Sequence, residues 1–255
     1  MKPLEALDAR RVTSVLVDID GTLTTRGSLT AAAYAALEAL KRAGKRVVPV
    51  TGRPAGWCDH IARMWPVDAV VGENGAFYFF LAESRLHKRF HDDAAARAAK
   101  RKKLEAIKDS ILAAVPGCAL ASDQPYRETD LAIDYCEDVP PLPLEAAQRI
   151  AALMREAGLT ARVSSIHVNG WFGEYDKLAM TRRLFAERFG ADLERAQSEV
   201  LFAGDSPNDA PMFEFFDNSV GVANVRRFGL SSLPKFVTRA ESGKGFEELV
   251  AHLLK

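Results

Sequence analysis

The feature that most constrains the fold is an alternation of short apolar runs with helical segments at both ends of the chain. The run VTSVLVDI from Val12 is followed by an alanine-rich segment that begins at Thr30 and stops at Gly44. KRVVPV, a helical segment and the two apolar runs of VDAVVGENGAFYFF come next. Strands alternating with helices predict a parallel sheet with helices on both faces. We therefore expect a doubly wound, Rossmann-like α/β core.

This alternation stops between about residues 84 and 174 and resumes after them. The intervening order is helix, strand, strand, helix, strand, strand, and its first helix carries Leu104, Ile107 and Ile111 at helical spacing. A different order of helices and strands inside an interrupted α/β pattern indicates an insertion. We predict a catalytic core of residues 1–83 and 175–255 and a smaller inserted α+β domain of residues 84–174.

Composition excludes several classes of protein. The chain has 255 residues, of which 48% are hydrophobic, and its 34 basic and 34 acidic side chains cancel. A balanced charge argues against general binding to nucleic acid or to an anionic membrane, and the basic run at 100–103 is interpreted as a solvated helix face. The longest apolar run, AFYFFLA, is far shorter than the roughly 20 residues that span a bilayer.

The compartment follows from what the sequence carries and what it omits. Its opening segment, MKPLEALDAR, does not resemble a secretory signal. Its three cysteines, an odd number without Cys-x-x-Cys spacing, suit thiols in a reducing cytosol. We expect a cytoplasmic protein with no nucleic-acid or membrane partner, and the sequence does not indicate an oligomeric state.

Two carboxylates follow the first apolar run, in VLVDIDGTLT. Asp18 and Asp20 are two residues apart, so on an extended strand they point to the same side. A calcium loop does not fit, because counting from Asp18 the glycine position is Leu23 and the bidentate glutamate position is Leu29. A P-loop motif is also absent. The remaining structural alternative is a turn that Asp20 caps near Gly21.

Further polar clusters stand at matching places after other apolar runs. Thr51 ends VVPVT and precedes Gly52, while Asp205 opens GDSPND with Asp209 four positions later. In a doubly wound sheet, ligands bind outside the carboxyl ends of the strands, where these clusters would meet. Lys177 begins the helix after the insertion and would be interpreted as a surface lysine if it stood alone.

These residue types together are suited to phosphoryl transfer. Carboxylates of Asp18, Asp205 and Asp209, with a backbone carbonyl, are hard oxygen ligands suited to Mg²⁺. The metal would allow an anionic aspartate to approach an anionic phosphate, with Thr51 and Lys177 contacting the transferring oxygens. One aspartate can then act as the nucleophile and form an acyl phosphate, leaving a second as acid and then base.

The motifs DIDGTLT, TGRP, Lys177 and GDSPND occur in the order of a known family. The whole chain resembles the haloacid dehalogenase-like (HAD) phosphohydrolase superfamily, subfamily IIB, which includes Cof-type, sucrose-phosphate and mannosylglycerate-type sugar phosphatases. The resemblance implies that Asp18 is the nucleophile and a metal ligand. It implies that Asp20 protonates the leaving oxygen, later activates water and ligates the metal through its carbonyl. The insertion would be the cap domain of this subfamily.

The resemblance also assigns the remaining motif residues. Thr51 and Lys177 would bind the phosphoryl group, and Asp205 would ligate Mg²⁺. Asn208 and Asp209 would orient the lysine and the metal waters, and Asp209 is also a candidate metal ligand.

Six residues are candidates for substrate contact, each with a plain structural alternative. Several of them could instead serve a tight turn or the start of a helix. His167 and Asn169 alternate with Trp171 on one face of a strand, so they could serve packing. An arginine before a cap strand could instead meet a second anionic group of the substrate. The candidates are Gly52, Arg53, Asn74, Arg127, His167 and Asn169.

The sequence therefore predicts a magnesium-dependent phosphatase acting through an aspartyl-phosphate intermediate. Its partner would be a small phosphate ester, either a sugar phosphate or a phosphoglycerate-type ester. Two alternatives remain open at this stage. One is a phosphomutase similar to phosphomannomutase, which shares the DxDGT motif and a related cap, and the other is a non-catalytic sugar-phosphate-binding protein.

Overall fold

A six-stranded parallel sheet forms the centre of the protein in a computed structural model that describes residues 1–255. Every neighbouring pair in this sheet is parallel, which confirms the doubly wound α/β core. In spatial order the strands are β1 (Lys2–Pro3), β15 (Phe236–Val237), β14 (Asn218–Gly221), β13 (Val200–Gly204), β2 (Ser14–Val17) and β5 (Arg46–Pro49).

Helices cover both faces of the sheet and bury two separate apolar clusters. Strand β2 supplies both clusters, because Val15 and Val17 face one side and Leu16 the other. This explains its continuous apolar run, which is typical of a strand buried on both faces. The core helices are α1 (Ala31–Arg42), α2 (Ala55–Met64), α5 (Lys177–Phe189), α6 (Ala210–Phe215) and α7 (Ser242–Leu253).

The first helix shows why these segments begin and end where they do. The Thr30 side chain accepts a hydrogen bond from the backbone N–H of Ala33 at 3.1 Å, which satisfies one of the free donors of the first turn. Leu37 and Leu40 of α1 are buried against the sheet. Gly44 follows the helix with φ +75°, a conformation that glycine adopts without strain.

A three-stranded antiparallel sheet extends the edge of the core. It consists of β6 (Val70–Gly72), β7 (Phe77–Ala82) and β8 (Arg85–Phe90), and Val50 pairs with Val71 to join it to the parallel sheet. Strand β8 was not predicted, and it lies beside β7 within the range predicted as the insertion. The division at residue 84 stays a prediction, and this pairing favours a start of the insertion after β8.

The inserted segment, here called the cap, has the predicted order of elements after β8. An antiparallel sheet of β11 (Thr160–Val163), β12 (His167–Trp171), β10 (Leu131–Asp134) and β9 (Ala119–Leu120) packs against α3 (Ala94–Ala114) and α4 (Leu144–Glu156). Ile111, Ile150 and Val168 belong to the apolar cluster between these layers. His167 and Asn169 lie on the opposite face of the sheet, as their alternation predicted, and that face is turned toward the core.

Three short strands, β1, β3 and β4, lie outside the sequence expectations. A small hairpin of β3 (Thr24–Thr25) and β4 (Ser28–Leu29) follows the DIDG loop, and β1 pairs with β15 at the far edge of the sheet. Strands of two residues are too short to produce a periodic pattern.

None of the helices combines the length and apolar character required to cross a bilayer.

Candidate active site

The predicted chemical residues meet at the carboxyl edge of the parallel sheet. Asp18 directly follows β2, Asp205 directly follows β13 and Thr51 lies beyond β5, and all three are buried. Carboxylate oxygens of Asp18, Asp205 and Asp209 lie within 4.8 Å of one another. The parallel register of β2 and β13 therefore creates an acidic centre from residues almost 190 positions apart in the sequence.

Lys177, the first residue of α5, lies between two of these carboxylates. Its Nζ donates hydrogen bonds of 2.7 Å to Oδ1 of Asp18 and 2.7 Å to Oδ1 of Asp209. Burial alone would lower the pKa of the ammonium group, but the two aspartates raise it above its ordinary value. Lys177 is therefore a fixed positive charge beside the predicted nucleophile.

Asp209 anchors the loop that carries Asp205. Its Oδ2 accepts hydrogen bonds from the backbone N–H of Asp205 at 3.0 Å and of Ser206 at 3.2 Å. A Cβ atom at Gly204 would lie 2.4 Å from Asp209 Oδ2, so this approach requires a glycine. Asp209 also contacts Lys177, and its roles in orienting the lysine and in ligating a metal stay predictions.

Asn208 lies beside this loop and connects it to the rim of the site. Its Oδ1 accepts a hydrogen bond of 2.7 Å from the Ser206 hydroxyl, and its Nδ2 donates one of 3.3 Å to Oδ1 of Asn74. Asn74 has φ 54°, and its own Nδ2 is buried without a hydrogen-bond acceptor. That free donor near the phosphoryl-binding residues keeps Asn74 a candidate for substrate contact.

Asn224 holds the metal-ligand candidate Asp205 and was not predicted. Its Nδ2 donates to Asp205 Oδ2 at 2.7 Å and to the carbonyl of Gly21 at 3.1 Å, and its Oδ1 accepts from the N–H of Ser242. Asn224 follows strand β14. Thr51 and Asp205 were predicted because they follow strands of the parallel sheet, and the same criterion would have identified Asn224.

The crowded carboxylates provide a test of whether a metal ion fits. Burial, opposed by Lys177 but aided by Asp209 and Asp20, raises the pKa of Asp18 to about 7. Burial and the charges of Asp18 and Asp209 raise the pKa of Asp205 well above its ordinary value. A divalent cation would relieve this repulsion, and all the donors are hard oxygen atoms. The residues present therefore fit Mg²⁺.

Thr51 and Gly52 form the turn that faces this centre. The Thr51 Oγ1 accepts a hydrogen bond of 3.0 Å from the backbone N–H of Arg53, and the side chain is fully buried. A Cβ atom at Gly52 would lie 3.1 Å from Nδ2 of Asn74, which makes this a close passage of the backbone.

Arg53 connects Asp20 to the cap domain. Its Nε and Nη2 donate to the Asp20 carboxylate at 2.7–3.0 Å, and its guanidinium stacks 4.3 Å from the ring of Trp57. Its Nη2 also donates to Oε1 of Glu137 at 2.5 Å. Glu137, a cap residue, carried no sequence signal, since it lies in a loop without periodicity.

Arg127, another candidate for substrate contact, is held by the protein itself. Its guanidinium donates to Asp123 at 2.9 Å, to Asp130 at 3.1 Å and to the carbonyl of Gly52 at 2.9 Å. Asn169 donates to the same Asp130 at 2.8 Å. Substrate contacts of Arg127 and Asn169 stay predictions, and the contacts seen here fix the cap against the core.

Glu73 in the GENGA turn forms a second connection between core and cap. Its carboxylate accepts hydrogen bonds from the backbone N–H groups of Ala55 at 2.9 Å, Glu128 at 2.9 Å and Thr129 at 2.7 Å, and from the Thr129 hydroxyl. Gly75, two residues later, packs so closely that a Cβ would lie 2.0 Å from the carbonyl oxygen of Asp176. The sequence did not reveal either contact.

A cleft of about 800 Å³ opens beside the acidic centre. It lies between the β3–β4 hairpin, the start of α7 and the cap, and most of the residues that line it have polar or charged side chains. Residues that line it include Asp20, Arg53, Glu137, Ser165, Asn224 and Lys244. The cleft could hold the part of a substrate that extends beyond Asp20.

A doubly wound sheet with clustered aspartates, a threonine and a lysine at its carboxyl edge defines an α/β enzyme. Residues 15–111 match the model of the haloacid dehalogenase-like hydrolase family. A phosphoglycolate phosphatase from Haloarcula marismortui is 29% identical over 243 residues, covering 93% of this chain and 95% of the relative.

Solved structures agree in fold. A Thermoplasma acidophilum protein, 0175, has a TM-score of 0.71 at 18% identity and covers 96% of this chain and 99% of its own. The sucrose-phosphatase of Synechocystis has a TM-score of 0.63 at 16% identity, with 96% and 98% covered. Residues 15–111 are thus similar to the haloacid dehalogenase-like hydrolases, which confirms the predicted resemblance. The predicted enzyme class, a phosphoric monoester hydrolase, is confirmed as well.

Proposed function

We propose that this protein is a magnesium-dependent phosphatase that hydrolyses a small phosphorylated metabolite, a sugar phosphate or a phosphoglycerate-type ester. The observation that supports the proposal is the contact of Lys177 with Asp18 beside Asp205, because a candidate nucleophile, a cation and a candidate metal ligand lie together there. A relative named phosphoglycolate phosphatase and a sugar phosphatase of the same fold support a small phosphate ester as the substrate.

In the first step a carboxylate oxygen of Asp18 attacks the phosphorus atom. An aspartyl phosphate forms as the bond from phosphorus to the leaving oxygen breaks. The Thr51 hydroxyl and the Lys177 ammonium hold the phosphoryl oxygens and stabilise the charge that develops on them. Asp20, protonated for this step, gives its proton to the leaving oxygen.

In the second step Asp20, now ionised, takes a proton from a water molecule. The oxygen of that water attacks phosphorus, inorganic phosphate leaves and the Asp18 carboxylate is regenerated. Both steps need Asp20 to exchange part of its pairing with Arg53 for substrate or water, and its side chain is 15% exposed at the cleft.

Mg²⁺ would be held by carboxylates of Asp18 and Asp205, with the Asp20 carbonyl and Asp209 as further candidates. When bound, the ion supplies positive charge that reduces repulsion between the nucleophile and the phosphate. In this structure the Ser165 hydroxyl donates a hydrogen bond of 3.4 Å to the Asp20 carbonyl, the same carbonyl that is a candidate metal ligand.

The experiment is a phosphate-release screen over phosphorylated sugars, glycerates and glycolate with Mg²⁺ present. The variant Asp18→Asn is the control, because it removes the nucleophile and weakens a metal ligand without changing size. We expect phosphate release from monophosphates by the parent, and a loss of at least about 10³-fold in Asp18→Asn with unchanged thermal unfolding.

Two results would contradict the proposal. Retained turnover in Asp18→Asn would show that Asp18 is not the nucleophile. Turnover that needs a sugar bisphosphate activator and transfers phosphate without releasing it would indicate a phosphomutase instead.

A further inference from the structure

Glu137 reaches from the cap toward the active site on a loop that is fixed by hydrogen bonds. The buried carboxylate of Asp134, at the end of β10, accepts from the backbone N–H groups of Cys136 at 2.9 Å, Glu137 at 2.8 Å and Asp138 at 2.8 Å. Three such bonds to one carboxylate hold the loop in a single conformation. The position of the Glu137 backbone is therefore built into the cap.

The Glu137 carboxylate lies among groups that keep it negatively charged. Its Oε1 accepts from Arg53 Nη2 at 2.5 Å, its Oε2 accepts from Nη1 at 3.3 Å, and Oε2 lies 2.8 Å from Nε2 of His167. Burial opposes ionisation, but His167 and Arg53 together lower the pKa of Glu137 to about 2. Part of the side chain, 23%, is exposed to the 800 Å³ cleft.

Cations near the reacting carboxylates are already matched by acidic side chains of the protein. The cavity around Asp18 and Asp20 is lined by two arginines, of which Arg53 binds Asp20 and Glu137, and Arg127 binds Asp123 and Asp130. The unpaired cations of the wider cleft, Arg26 and Lys244, do not line this inner cavity. A second anionic group of a substrate would find no free partner here.

The Glu137 carboxylate can select a substrate hydroxyl instead of a substrate anion. A carboxylate accepts hydrogen bonds from hydroxyls, whereas it repels another carboxylate or phosphate at short range in a partly buried site. Specificity commonly depends on such repulsion of the wrong ligand as well as on attraction of the right one. Because Arg53 links Asp20 to Glu137, the group attached to the leaving oxygen would extend toward both carboxylates.

We propose that Glu137 is a specificity-determining residue that favours substrates with hydroxyl groups next to the leaving oxygen and disfavours those with a carboxylate or second phosphate there. The inference rests on the proposed phosphatase function and narrows its substrate class to phosphorylated polyols and sugars. It separates this enzyme from one that acts on a phosphorylated carboxylic acid.

The test compares glycerol 3-phosphate with 3-phosphoglycerate, which differ in a hydroxymethyl group and a carboxylate at one carbon. We expect the parent to prefer glycerol 3-phosphate at least tenfold in kcat/KM. Glu137→Gln, which keeps the shape and removes the charge, should narrow this ratio at least tenfold, mainly through a lower KM for 3-phosphoglycerate.

Asp138→Asn is the matched control. Asp138 is the next residue of the same loop and accepts from the Ser122 hydroxyl at 2.6 Å instead of contacting Arg53. This variant loses the same charge and should keep the parent's ratio, with thermal unfolding measured for both variants.

An aryl phosphate separates failure of this inference from failure of the phosphatase proposal. If the parent hydrolyses the aryl phosphate but prefers 3-phosphoglycerate, or if Glu137→Gln leaves the ratio unchanged, the role of Glu137 is wrong while the phosphatase stands. If the parent releases phosphate from none of the three esters, the proposed function itself fails.

Discussion

Asp20 shows at the scale of one residue how neighbours decide what a side chain can do. The DIDG motif indicates an acid and base, but it does not indicate that Arg53 holds both carboxylate oxygens. An arginine in this position competes with substrate and with water for the Asp20 carboxylate. Asp20 can act on a leaving oxygen or a water molecule only when it exchanges part of this pairing, and Glu137 is a second acceptor for the Arg53 guanidinium.

The role of Asp20 predicts an effect that depends on the leaving group. Asp20→Asn should reduce kcat by about 10²–10⁴-fold for an alkyl phosphate, the usual contribution of general acid–base catalysis. The loss should be smaller for an aryl phosphate, because its leaving oxygen needs less help from a proton donor. Steady-state rates on both esters would check this, and equal losses would show that Asp20 is structural.

Gly21 makes a second prediction at the same scale. It has φ +80°, and a Cβ at this position would lie 2.3 Å from Oδ2 of Asp205. Gly21→Ala should destabilise the protein by about 1–2 kcal/mol through backbone strain and should displace Asp205.

The measurement for Gly21→Ala is the Mg²⁺ concentration at half-maximal rate, together with chemical denaturation. Gly27→Ala is the control, since Gly27 also has positive φ, +76°, but nothing lies within 4 Å of its Cβ position. A rise in the Mg²⁺ requirement in both variants would contradict a specific effect on Asp205.

At the scale of elements, the segment from Asp123 to Asp130 fastens the cap to the core. The sequence suggested that Arg127 meets a substrate anion, yet its donors go to Asp123, Asp130 and the Gly52 carbonyl. Acidic partners three and four residues away along an irregular segment give no periodic signal. Sequence reasoning could therefore identify the charged residue, but not the partners that neutralise it.

This ion-pair cluster predicts a loss of stability in Arg127→Ala. Removing this buried arginine leaves Asp130 without an ion pair and Asp123 with only a 3.4 Å contact to Arg53. Breaking a buried pair typically costs about 3–5 kcal/mol in the free energy of unfolding. Turnover should fall in parallel on large and small esters, because the cap is damaged and no single substrate contact is lost. Chemical denaturation and rates on two esters would test this.

Arg101→Ala on α3 is the control for Arg127→Ala, since Arg101 is exposed and should change stability by less than about 0.5 kcal/mol. Normal stability of Arg127→Ala with a selective loss on one natural ester would instead restore the substrate role.

The longer helices and strands were predictable because burial on one or both faces leaves a regular pattern of apolar residues in the sequence. The strand before Asp18 was predicted from an apolar run and the helix after Thr30 from an alanine-rich segment that stops at Gly44, and the structure confirms both. Strand β8, with the polar sequence RLHKRF, lacks a continuous apolar face and was missed. Its pairing with β7 depends on tertiary contacts that local pattern does not encode.

At the scale of the whole molecule, the acidic centre exists only because distant strands end at one edge. This arrangement predicts a requirement for a divalent cation. Chelator-treated protein should be inactive, Mg²⁺ should restore turnover and Ca²⁺ should inhibit, because its larger and looser shell disturbs the alignment of Asp18 with phosphorus. Phosphate release with each ion would check this, and full activity of the metal-free protein would contradict it.

The contact of Gly75 with the Asp176 carbonyl has a mechanical consequence. Asp176 is where the chain returns from the cap, and the next residue is the lysine that contacts Asp18. With no side chain between them, the rim turn holds this hinge against the core. The ammonium group that contacts Asp18 is therefore anchored on the core side of the boundary with the cap.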